Sequence, residues 1–182
     1  MNIRNCWQRH KFVALFSILF AVVSLSLAAL WGAGFRVNLT PSLPQGIYRL
    51  TAETARKGDF VCFCLPRSNT FSRVALDRNY LGRGYCPSGL RPLLKKLAGT
   101  PGDRIKITAH GLYLNDEALA NTIRLDLDRN GRAVPPSLLA DGVIPAGFGL
   151  VISQEHAGSF DSRYFGLVPL KLLKKAQPIL FF

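Results

Sequence analysis

The 182 residues predict a mainly β domain with one or two short helices, carried behind a single N-terminal transmembrane helix. Two observations lead there. Phe12 to Phe35, FVALFSILFAVVSLSLAALWGAGF, contains no charged residue, and about 20 such residues suffice to cross a bilayer as a helix. Beyond it the chain breaks into short runs rich in β-branched and aromatic residues, punctuated by Gly, Pro, Asn and Asp. That is the pattern of strands joined by turns.

The apolar segment exceeds the roughly 7–15 residues of a signal-peptide core, and SLAALWGAG is a poor cleavage site, so an uncleaved anchor is expected. Arg4, Arg9 and Lys11 flank it on the N-terminal side. Positive charge stays in the cytoplasm, which places the chain from Arg36 onward outside, with Trp31 and Phe35 near the far interface. The expected division is a cytoplasmic N-terminus (1–11), an anchor (12–35) and an extracytoplasmic domain (36–182). In a bacterium this is a single-pass inner-membrane protein with a periplasmic domain.

In the domain, GIYRLT (46–51) and DFVCFCL (59–65) read as strands, with a turn at Lys57-Gly58. Residues 69–82 carry Phe71, Val74, Ala75 and Leu81 at helical spacing, with Asn69 as N-cap and Gly82 as stop. PLLKKLAG (92–99) is a strand ending in the turn TPGD, where Asp103 has a structural role. RIKIT and GLYLN form a hairpin through AHG. Residues 120–146 are polar and proline-containing, a surface excursion, and GFGLVIS (147–153) is a buried-type strand. The tail VPLKLLKKAQPILFF fits a strand or short helix against a membrane surface and ordinary core packing equally well.

A formal charge of +12 invites a nucleic-acid reading, but no helix-turn-helix, zinc-finger or RNP pattern accompanies it. A basic domain beside an anionic bilayer is the simpler account. Cys6 falls on the cytoplasmic side, whereas Cys62, Cys64 and Cys86 lie beyond the anchor, where an oxidising compartment permits a disulfide. Cys86 can pair with Cys62 or with Cys64, leaving one cysteine over, because Cys62 and Cys64 are too far apart along a strand to bridge each other. These cysteines make a weak zinc set. Asp126 and Asp128 are spaced like a metal pair but lie in the polar excursion, so no metal and no cofactor is assigned.

For hydroxyl activation, a Ser-His-Asp arrangement has His156 as its one plausible base. His10 lies across the membrane and His110 in a hairpin turn. A Ser-Lys pair is the other route. It needs a lysine neutral near pH 7, so burial must lower its ordinary value of about 10.4. On the strand at 92–99, Lys95 shares a face with Leu93 and Leu97, and Lys96 falls on the opposite face. Alone, such a pair reads as a solvated edge. Likewise LTPSLPQGIYRL, with Ser42 between Pro41 and Pro44, reads alone as a turn stiffened by its prolines, and Gly46 permits a positive φ or close approach of substrate.

Taken together, SLPQG, LLKKLAGTPGD and SFDSRYFG, in this order behind an anchor, resemble the type I signal peptidases, Ser-Lys peptidases that release membrane-tethered precursors. The resemblance runs from the anchor through Gly166 and includes KGDFVCF and DRIKITAHGLYLND. NLTPSLPQGIY and the SFDSRYFG wording are most similar to the branch typified by TraF, the conjugative-transfer maturation peptidase. The resemblance implies a signal-peptidase-like β fold with Ser42 as nucleophile and Lys95 as general base. It implies an oxyanion hole of the Ser42 N–H and the Thr40 hydroxyl, and a lysine-orienting role for Ser159. Asp161 and Arg163 become a structural ion pair, with Ser162 a structural neighbour. General signal peptidases carry a Gly-Asp-Asn turn before DSR, whereas this chain has ISQEHAGSFDSR, in which Glu155 and His156 are loop residues. That departure favours the specialised branch. The expected partners are a membrane-bound pilin or preprotein substrate, the lipid bilayer and other conjugative transfer proteins, with no nucleic acid. A general leader peptidase and a non-catalytic pilus-assembly scaffold are the competing readings.

Overall fold

The computed structural model describes residues 3–182, with side chains from Lys11 onward. The side chains of Arg4, Cys6, Arg9 and His10 lie outside the described residues. Two compact units emerge, Met1–Arg36 and Val37–Phe182. The first is built on helix α1 (Ile3–Gly32). Its stretch Lys11–Gly32 has a mean hydropathy of 2.6 and is wholly exposed, long and apolar enough to cross a membrane.

The second unit is mainly β, as the run of short β-favouring segments requires. A seven-stranded sheet takes the order β1-β2-β11-β3-β4-β9-β10. The strands are β1 (Phe35–Asn38), β2 (Gly46–Leu50), β3 (Phe60–Phe63), β4 (Leu93–Gly99), β9 (Phe148–Ile152), β10 (Val168–Pro169) and β11 (Lys174–Phe181). A smaller sheet, β7-β6-β5-β8, joins β5 (Arg104–Thr108), β6 (Gly111–Leu114), β7 (Glu117–Ala118) and β8 (Gly142–Val143). The expected hairpin is β5–β6, in register Thr108↔Gly111, with Gly111 at φ +119° in its turn.

The core follows from strand alternation. Along β4 the faces alternate without a break, burying Leu93, Lys95, Leu97 and Gly99 and leaving Leu94, Lys96 and Ala98 half-buried. Leu93 and Leu97 join Val61, Phe63, Phe71 and Val151 in one apolar cluster. A second cluster gathers Ile105, Leu112 and Ile144 from the small-sheet region with Leu150 and Ile152 of β9. Burying such side chains at about 25 cal/mol per Å2 is the main stabilising term of the domain.

Two details differ from the sequence reading, and a third resolves a point it left open. Helix α2 (Thr70–Asp77) has the expected Asn69 N-cap, whose side-chain Oδ1 accepts from the Phe71 N–H, but it ends well before Gly82. Asn79 takes a left-handed φ of 55°, and the Tyr80 N–H turns back to the Ala75 carbonyl. Asn tolerates that conformation through its short polar side chain, so it stops the helix first. Gly46 has no positive φ. A Cβ there would stand 2.1 Å from the Leu180 carbonyl oxygen, so the glycine admits β11 at its register shift rather than a turn. Finally, the tail forms β11 inside the large sheet, pairing with β2 and with β3.

Candidate active site

Ser42 sits in the loop between β1 and β2, half-buried, with Thr40 exposed beside it. β4 carries Lys95 in from the adjoining part of the sheet, where it pairs with Val61 of β3 and is 2% exposed. Ser159 comes from the loop after β9 and is also buried. The three side chains meet. Lys95 Nζ donates to Ser159 Oγ at 2.5 Å, and the Ser159 hydroxyl donates to Ser42 Oγ at 3.2 Å. Ser159 thus stands between the lysine and the expected nucleophile.

Burial drives the Lys95 amine down from its ordinary value near 10.5 to about 8. The Asp161 carboxylate opposes the shift and the Arg163 guanidinium adds to it. The cause is desolvation, because the charged form loses water that Leu93 and Leu97 cannot replace. At pH 7 about a tenth of such lysines are neutral. A neutral amine within hydrogen-bond reach of a hydroxyl chain can take its proton.

Asp161 and Arg163 form a fully buried fork, Nε to Oδ1 and Nη2 to Oδ2, each at 2.8 Å. Breaking one partner of such a pair would leave an uncompensated charge, at a cost of about 3–5 kcal/mol. The arginine has further work. Its Nη2 donates to the Ser159 carbonyl at 3.0 Å, and its Nη1 donates to the carbonyls of Asn121, Ile123 and Ala157. One side chain therefore ties the 120s excursion and the Ser159 loop together. Ser162, also buried, accepts from the Val151 N–H of β9 at 3.0 Å.

Two residues that sequence reasoning passed over belong here. Ser153 ends the β9 region and is fully buried; its hydroxyl donates to the Ser42 carbonyl and its N–H donates to Asp161 Oδ2 at 3.1 Å. It begins the turn where this chain departs from the general peptidases, which was the available signal. Asn38, 7% exposed on β1, accepts the Thr40 hydroxyl at 2.7 Å. Its spacing two residues before Thr40 is that of an Asx turn, a motif common enough to be overlooked.

Other expectations find their places. Cys64 bonds to Cys86, which selects between the two pairings left open, and Cys62 is buried on β3. His156 offers its carbonyl to the Ser159 N–H at 3.1 Å. Asp103 is structural, accepting from the Thr100 N–H, Asn115 and Lys57. Asp126 is engaged by Arg124, and Asp128 by Arg132 and Tyr80. Among the described residues no three His, Cys, Asp or Glu side chains gather as metal ligands.

Comparison with known proteins bears on the whole chain. Residues 9–179 match the family described as "Signal peptidase, peptidase S26". The chain is 36% identical over 179 residues to the "Conjugal transfer protein TraF" of Agrobacterium tumefaciens (strain 15955), covering 96% of this chain and 99% of that one. It is 32% identical over 165 residues to a "Plasmid transfer protein TraF" of Escherichia coli, covering 90% and 92%. A crystal structure of a signal peptidase I from Enterococcus faecalis V583 aligns at 18% identity and a TM-score of 0.37, over 69% of this chain and 97% of that one. By the extent of the family match and the near full-length kinship with these transfer proteins, the chain belongs to the signal peptidase family, peptidase S26.

Proposed function

We propose that the protein is a membrane-anchored serine endopeptidase that cuts a membrane-tethered precursor, a conjugative pilin, on the outer side of the membrane after a small residue. The observation that carries this is the buried chain Lys95–Ser159–Ser42, with a lysine lowered to about 8. Ser42 Oγ attacks the scissile carbonyl carbon, and its proton moves to the Lys95 amine along the Ser159 hydroxyl. The tetrahedral oxyanion is met by the Ser42 N–H and the Thr40 hydroxyl. Collapse breaks the C–N bond, and the leaving amine takes the proton from the Lys95 ammonium. A water, or the precursor's own amine, then attacks the Ser42 ester. Attack by the precursor's own amine closes the pilin into a ring, and positioning of that amine decides the outcome.

The names of the relatives, conjugal and plasmid transfer proteins, support a pilin over a broad set of secreted proteins. The exposed apolar helix, with its basic flank, supports an anchor with the domain on the periplasmic side. Co-expression with the pilin precursor in membranes tests the reading. Wild type should process it, and Ser42→Ala and Lys95→Ala should not. Processing by either variant defeats the dyad and leaves the scaffold reading. Mass measurement of the product distinguishes a ring, lighter by one water, from the linear form.

A further inference from the structure

The loop carrying Ser42 has little backbone of its own to hold it. Pro41 and Pro44 lack an N–H, and the backbone bonds on the β2 side begin at Gln45, whose carbonyl accepts from the Phe182 N–H at 3.2 Å. Side chains supply the restraint instead, and one supplies most of it. Asn38 Nδ2 donates to the carbonyls of Thr40 at 3.1 Å, Leu43 at 3.0 Å and Pro44 at 3.2 Å. Its Oδ1 accepts from the Thr40 N–H at 3.1 Å and from the Thr40 hydroxyl at 2.7 Å. Turning the amide over would set its NH2 against two donors and its oxygen against three carbonyls, so the surroundings fix its orientation. Pro44 is gripped again by Tyr48, whose hydroxyl donates to the same carbonyl at 2.7 Å.

We infer that Asn38 is a positioning residue for acyl transfer: its amide clamps the loop on both sides of Ser42 and holds the Thr40 hydroxyl for the oxyanion hole. This rests on the peptidase reading above. Two consequences give it content. The Thr40 side chain is set in one rotamer by its bond to Asn38, so Oγ1 has a fixed position before substrate arrives. The hydroxyl has a single proton, and in the resting site that proton is given to Asn38. When negative charge develops on the scissile oxygen, rotation about the Cβ–Oγ bond transfers the proton's bond to the oxyanion with no heavy atom moved. Asn38 then keeps Thr40 in place through the backbone N–H. Such a device acts on the transition state more than on the ground state, so its removal should lower kcat and leave KM nearly unchanged.

The test uses the full chain in detergent micelles. Its probe is a quenched fluorescent peptide with an apolar anchor segment and an Ala-x-Ala cleavage site. Asn38→Ala should lower kcat at least tenfold with KM within twofold. Thr40→Val should do the same. The double variant should lose no more than about the larger single loss, because both changes remove one device. Losses that multiply in full, or a change confined to KM, overturn the inference. Asn38→Asp keeps the shape and the acceptor but not the donors, and wild-type kcat in that variant also overturns it. Hydrogen exchange read by mass spectrometry is independent of turnover. Asn38→Ala should speed exchange at least tenfold in the peptide spanning 39–46 and leave β3, β4 and β9 as in wild type. Unchanged exchange there refutes the clamp. If wild type fails to cut the peptide and a pilin precursor alike, the peptidase reading falls, and exchange alone decides the clamp.

Discussion

Lys95 is charged at pH 7 in the unfolded chain and has to be neutral for its proposed task in the folded one. Its amine titrates at about 8 when folded against an ordinary value near 10.5. Only the neutral form accepts the Ser42 proton, so kcat/KM should rise with pH through about 8 and level off above it. A profile flat from pH 6 to 9 would remove the lysine from the mechanism. The same shift has a stability consequence. Between these two values the unfolded chain binds more protons, so stability rises with pH across that window. Below it the buried ammonium costs about 3 kcal/mol, at about 1.36 kcal/mol per pH unit of displacement. Lys95→Met should therefore raise Tm at pH 7, and the gain should shrink as pH climbs past 8 toward 10.5, as calorimetry across that range would show. Thr40→Val, which removes a hydroxyl expected to serve the oxyanion, should lower kcat by about a hundredfold or more. Ser159→Ala should abolish turnover, since it removes the hydroxyl between Lys95 and Ser42.

Between elements, the decisive contacts are close approaches and crosslinks. Gly46 starts β2, and an added methyl group there would collide with the Leu180 carbonyl at 2.1 Å. Backbone cannot retreat as a side-chain end can, so Gly46→Ala should cost several kcal/mol by denaturant titration and loosen the Ser42 loop that β2 continues. The Cys64–Cys86 disulfide spans 22 residues of sequence and pins the segment after α2 to the end of β3. Reduction, or Cys64→Ser with Cys86→Ser, should lower stability by about 3 kcal/mol. Element-level features were also the most legible in sequence. The parity of Leu93, Lys95 and Leu97 on β4 is visible in seven residues, and so is the Asn69 cap. The early end of α2 was less so, because Asn79 and Gly82 both offer a stop, and only the left-handed φ of Asn79, with the Tyr80 N–H turned back to the Ala75 carbonyl, shows that the first is used.

At the scale of the molecule, the proposed orientation in the membrane rests on the basic flank, and on that reading a reporter fused after Arg36 should be active only when it needs the periplasm. A cytoplasm-active fusion would reverse the proposed side of cleavage. The grouping of Ser42, Lys95 and Ser159 could be named from motif order, but their chain of bonds could not. Ser153 reaching the Ser42 carbonyl, and Arg163 gathering four carbonyls and a carboxylate, join segments far apart in sequence, and no local periodicity records such pairings. The insertion of β11 between β2 and β3 was hidden for the same reason, since its outer end is exposed and reads as a surface tail. That insertion has a consequence in time. Residues 174–181 leave the ribosome after every other strand of the large sheet, yet they are the seam joining the Ser42 side to the Lys95 side. Until they emerge, Ser42 and Lys95 belong to two unjoined half-sheets, so on the proposed peptidase reading a nascent chain has no assembled active site. A chain stopped after Leu173 should remain in that state, processing nothing and showing no cooperative melting.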